Sequence, residues 1–138
     1  IFYQVTSKRR DEKVVSYALS DQNEIRVTCY LNDYGIPAVI RADSSTSCIA
    51  ESVVQDLLKK GAVNRNDFEG RFEEIMVDGR IRENSVVNIK KVRLGAMELQ
   101  NVRLRVTSAT DLMEIGKELL GRYGTWETDS EKRQLIFK

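Results

Sequence analysis

The chain has 138 residues, 41% apolar and 31% charged, with 22 Lys and Arg against 21 Asp and Glu for a net charge of +1. That length fits one domain with a core of its own, and the charge balance supplies no global field to draw in nucleic acid or an anionic membrane. Histidine is absent, which excludes a Ser-His or Cys-His nucleophile pair and a histidine-based metal site.

Two cysteines, Cys29 and Cys48, are too few for a disulfide framework or a four-ligand zinc site. Each sits in an apolar context and reads as a buried reduced thiol, which suits the cytoplasm or nucleus. No metal or cofactor motif is present. No run reaches the ~20 apolar residues of a membrane span. The chain does not begin with methionine, which reads as a piece of a longer chain.

Residues 13–19 are a short β-rich run, and Ser20 to Asn23 carry turn chemistry. Ile25, Val27, Cys29 and Leu31 then alternate with Arg26, Thr28 and Tyr30, the period of a half-buried strand. Asn32-Asp33 signals a hairpin, and 36–42 is the returning strand, with Pro37 near its start or on an edge. Four hydroxyl residues, Ser44 to Ser47, lead into Ile49, Ala50, Val53 and Leu57 at helical spacing. Gly61 stops that pattern, so the spacing predicts a helix over 50–60. Residues 64–71 read as a loop. Residues 72–82 read as a hairpin with Asp78-Gly79 at its tip. Residues 86–94 and 99–106 are strands around a Gly95 turn. Leu112, Ile115 and Leu119 share a face, which predicts a second short helix over 111–120. Residues 126–127 and 134–138 close the chain as a hairpin. The pattern is a β-rich domain over 13–138, preceded by an extension or strand at 1–12.

The segment from Ala38 to Leu57 resembles the active-site segment of retropepsin-like aspartic proteases, the retroviral and retrotransposon type. There a strand ends in Asp-Thr-Gly, and a hydroxyl-rich stretch, an apolar pair and often Ser-Glu follow. Ser44-Ser45-Thr46-Ser47-Cys48-Ile49-Ala50-Glu51 fits that tail, with Ala50 in place of its last Ser. Asp78-Gly79 falls where the family has its flap, and 92–106 looks like its second meander. Glu114-Ile115-Gly116 resembles the apolar-apolar-Gly step that starts its helix, and 134–137 its final strand. The resemblance implies an all-β fold, a closed barrel with one or two short helices.

In this register the catalytic triplet is replaced: Arg41 takes the Asp position, Ala42 the Thr position and Asp43 the Gly position. The family's mechanism needs two carboxylates, one per subunit, sharing a proton around a water. Arginine stays protonated and cannot serve as that base. Ala42 lacks the hydroxyl that grips across the dimer axis. The competing register, with Asp43-Ser44-Ser45 as the triplet, shifts Ile49 out of place and loses the serine-rich match. An Arg41–Asp43 ion pair is the expected relief of arginine repulsion at a two-fold axis.

The resemblance implies a catalytically inactive, retrotransposon-derived domain that homodimerises and holds a peptide or partner protein. Arg41, Asp43, Ser44, Asp78, Gly79 and Arg80 would line the former cleft. Phe2, Tyr3, Leu135, Ile136 and Phe137 would form the dimer interface. Two alternatives stand beside it: an atypical aspartic endopeptidase using Asp43, and a nucleic-acid-binding module using a basic face around Arg103 and Arg105. Few aromatics interleave with those charges, which disfavours base stacking.

Overall fold

A computed structural model describes residues 13–138; Phe2, Tyr3 and the rest of 1–12 lie outside the described residues. The alternating apolar residues form β3 (Ile25–Leu31) and β4 (Tyr34–Arg41). They are joined by Asn32-Asp33, both at positive φ (48° and 73°), the two-residue turn that matches strand twist. Asn32 also fixes the turn to the body: its Nδ2 donates to the Ala62 carbonyl (2.8 Å) and its Oδ1 accepts from Lys91 N (3.0 Å). Pro37 lies inside β4, opposite Thr28, just before a strand at Met113–Gly116, β10, begins to pair on β4's other side at Ala38. Its missing N–H therefore falls on an open edge.

β5 (Cys48–Ala50) leads straight into α1 (Glu51–Lys59), where Val54 and Leu57 are buried. Each such burial contributes about 1.5–3 kcal/mol. Ala50 belongs to the strand rather than to the expected helix over 50–60. A 3₁₀ turn at Arg65–Asp67 is closed by a reciprocal cap between Asn64 and Asp67. Phe72–Ile75 forms a single helical turn, α2, so the expected hairpin is reduced to β6 (Met76–Val77) and β7 (Arg80–Ile81). Its tip is Asp78-Gly79, at φ 54° and 79°.

β8 (Val86–Leu94) and β9 (Met97–Thr107) pair along nearly their whole length. The sequence places a helix over 111–120; the chain instead makes β10 (Met113–Gly116) and then α3 (Lys117–Tyr123). Met113 and Ile115 are buried with Glu114 between them, a period of two. The apolar spacing here satisfied both periods, and the slot between β4 and β5 decided for the strand.

β3, β4, β10, β5, β9 and β8 follow one another in a sheet that a β3–β8 pairing closes into a barrel. Leu31, Ile49, Ile89, Leu104, Met113 and Ile115 fill it. β2 (Ala18–Leu19) adds to β3 from outside. A second sheet sets β12 (Gln134–Phe137) between β1 (Val14–Ser16) and β11 (Trp126–Asp129). No described helix is long and apolar enough to cross a membrane.

Candidate functional site

β4 ends at Arg41, and β10 runs parallel beside it with Gly116 opposite Arg41. The loop from Ala42 to Ser47 folds over that junction. Ser44 N donates to the Arg41 carbonyl (3.0 Å), Lys117 N to the Ser44 carbonyl (2.8 Å) and Gly116 N to Ser47 Oγ (2.7 Å). The approach is so close that a Cβ on Gly116 would lie 2.3 Å from the Thr46 carbonyl oxygen and 2.9 Å from that of Ser44. Only glycine fits there, for lack of space rather than for its φ.

Arg41 is half-exposed and held by two carboxylates. Its Nη1 lies 2.5 Å from Glu24 Oε2 and its Nη2 3.5 Å from Glu114 Oε2. The hydrogen bond to Glu24 raises its already high pKa. Glu24 is positioned by a turn in which Ser20 Oγ accepts from Gln22 N and Glu24 N. Glu114 is positioned by β10, whose flanking residues point into the barrel. Arg26 reaches Glu24 at 3.8 Å, completing an alternating row of charges. The Arg41–Asp43 pair expected from sequence is not formed within the chain: Asp43 is exposed in the loop. Strand pairing delivers Glu24 and Glu114 to Arg41 first, and both were missed in the sequence because they become neighbours only through register.

Register also sets Arg26, Val39, Glu114, Cys48 and Arg105 side by side across β3, β4, β10, β5 and β9. This face carries charge where the barrel interior carries none among the described residues. Cys48 donates to Glu114 Oε1 (3.7 Å), and burial, then the Glu114 charge, pushes its thiol up. Burial pushes Cys29 up to about 12. Both thiols are free and buried, and burial disfavours the reactive thiolate at each. No cluster of His, Cys, Asp and Glu suited to a metal occurs among the described residues.

No hydrogen bond or ion pair joins the hairpin residues Asp78, Gly79 and Arg80 to Arg41, Asp43 or Ser44 among the described residues. The hairpin is clamped to α1. The Arg80 guanidinium forks onto the buried Glu51 (Nη2 to Oε1 2.6 Å, Nε to both oxygens 3.1 Å). Ile81 N donates to Glu51 Oε2 (2.8 Å), and Gln55 Nε2 to the Gly79 carbonyl (2.9 Å). The hydrogen bond from Arg80 leads in holding the Glu51 carboxyl down at about 2.

The basic face is answered by acids only in part: Arg103 forks onto Glu69 and Lys91 pairs with Asp33, whereas Arg105 donates to the neutral Asn84. Of the expected interface residues, Leu135 and Phe137 are buried in the chain's own core and Ile136 is half-buried. Both edges of β12 are taken, by β1 and β11. β12 is therefore an inner strand of its sheet, because β1 and β11 pair with it on either side.

Comparison with solved structures gives the fold its relatives. A retropepsin-like aspartic protease from Rickettsia conorii superposes with a TM-score of 0.61 at 14% identity, over 90% of this chain and 88% of that one. The retroviral protease-like domain of Ddi1 from Leishmania major superposes with a TM-score of 0.52 at 15% identity, over 83% of this chain and 88% of that one. No protein-family model matches the chain, and no curated protein does.

Proposed function

From a chain that has the retropepsin-like fold, we propose a domain without peptidase activity that homodimerises and holds an extended peptide or a partner protein. The observation that carries this reading is Arg41 at the end of β4, ion-paired to Glu24 and Glu114. Acid-protease chemistry needs two carboxylates sharing one proton. Here a permanently protonated guanidinium lies between the nearest two, so they cannot share one. The position of Gly116 opposite Arg41 supports the register in which Arg41 replaces the acid.

The same pairs answer an objection to dimerisation. Two arginines near a two-fold axis repel, but each is neutralised inside its own subunit before the subunits meet. The dimer contact then falls to residues 1–12, with Phe2 and Tyr3, and to the outer edges of β1 and β11 rather than to β12. Bound peptide adds as a strand, gaining affinity through backbone hydrogen bonds without a catalytic group. The buried reduced thiols fit a reducing compartment, the cytoplasm or nucleus.

Incubation with a casein or a mixed peptide library at acidic and neutral pH tests the reading. Intact substrate from both wild type and Asp43→Asn is expected. Cleavage that Asp43→Asn abolishes would replace it with an atypical aspartic endopeptidase acting through Asp43.

A further inference from the structure

A cavity of about 210 Å³ opens where β9, the loop before β5 and α3 meet. Arg103, Arg105 and Arg122 line it together with Thr46 and Ser47, and Glu118 is the one carboxylate in its wall among the described residues. The three guanidiniums are anchored differently. Arg103 is forked onto Glu69, which fixes it as a wall. Arg105 Nη1 donates to Asn84 Oδ1 (3.0 Å) and Arg122 Nη2 to the Gln100 carbonyl (3.4 Å). Those acceptors are neutral, so they orient the arginines, and neither arginine makes an ion pair among the described residues. Glu83 is near Arg105, but its oxygens are engaged by Thr107 Oγ1, Ser108 N and Ser108 Oγ. Ser47 Oγ accepts from Gly116 N, which leaves its hydrogen to donate into the cavity.

Size and chemistry select the occupant. Pockets for drug-sized molecules run to roughly 300–1,000 Å³, so this one suits a single oxyanion on a short stem. Arginine forks with hydroxyl donors beside them match a doubly charged phosphoryl group. A nucleic acid needs a track of uncompensated charge and aromatic platforms. The lining has no aromatic side chain, and Arg80 and Lys91 elsewhere on the surface are already paired.

We propose that this cavity is a binding site for a phosphorylated serine or threonine side chain of a partner protein. It is separate from Arg41 and does not depend on the loss of catalysis. Calorimetric titration of the full chain with phenyl phosphate, a degenerate phosphoserine peptide library, its unphosphorylated counterpart and a single-stranded RNA oligomer tests it. Saturable phenyl phosphate binding is expected, with the phosphorylated library bound at least about tenfold more tightly than the unphosphorylated one. Arg122→Gln, on an exposed helix face, weakens phosphate binding about tenfold while leaving the melting temperature of the unliganded protein unchanged. Arg105→Gln does the same in a second variant. Phosphorylated and unphosphorylated libraries bound alike, no saturation by phenyl phosphate, or unchanged binding by both variants would each overturn the proposal. RNA bound more tightly than the phosphopeptides would assign the arginines to nucleic acid instead.

Discussion

Two charge clusters sit at the two ends of the segment that runs from β4 through β5 into α1, and they are built in opposite ways. At one end an arginine is held by two carboxylates on an open sheet face; Arg41 and Glu114 keep 37% and 28% of their side-chain exposure. At the other end one carboxylate, Glu51, is 7% exposed and accepts from Arg80 and the Ile81 backbone. Water remains an alternative partner for both carboxylates of the first cluster and for the exposed Arg80 of the second, but not for Glu51. The number of charges is therefore a poor guide to their structural weight, and burial is a better one. The open cluster is free to be altered for function, whereas the closed one holds the hairpin on the helix.

Four substitutions would break or sharpen this contrast. The largest effect is expected between the clusters, at Gly116→Ala, where the new methyl group meets backbone rather than a movable side chain. A loss of about 3 kcal/mol or more, at the upper end for overpacking, should appear in urea unfolding. Next is Glu51→Gln, which removes the buried carboxylate that accepts from the exposed Arg80 and from Ile81 N. A loss of about 1–3 kcal/mol is expected at neutral pH. Because folding lowers the Glu51 pKa from its ordinary 4.5 to about 2, the wild type's advantage is complete above pH 4.5. It is lost as pH falls from there through about 2, so the wild-type and variant stability curves should converge in that window. A constant gap between the curves down to pH 2 would remove Glu51 as the source.

Smaller still is Arg41→Gln. It leaves Glu24 and Glu114 without their shared cation, but both remain in contact with water. About 1 kcal/mol or less is expected, easing further in high salt. A loss several times larger would show that the Arg41 face is covered in solution, as a dimer would cover it, and sedimentation would then report the dimer. The smallest effect belongs to Asp43→Asn, an exposed loop position, within about 0.5 kcal/mol.

Local chemistry made much of the fold legible. Asn32-Asp33, Asp78-Gly79 and Gly95 announce turns through their own backbone preferences, and β3 and β8 announce themselves by alternation. The order of these signals along the chain carried the family resemblance, and with it the barrel. The error over 111–120 came from a stretch too short to favour one period; its partners in β4 and β5 settled it. The site was legible only in part. Arg41, Ala42 and Asp43 could be read as a replaced triplet, but Glu24 and Glu114 could not be read as Arg41's partners. Likewise Glu51 and Arg80 stood out separately, with nothing in their spacing to join them.

The absence of histidine and of any Asp-Thr-Gly or Asp-Ser-Gly triplet follows from the sequence by itself, because it concerns which functional groups exist. Which carboxylate meets which arginine was decided by the tertiary structure alone. A parallel β4–β10 register and a helix packed against a hairpin bring together residues far apart in the chain, and no local preference encodes a distance of that kind.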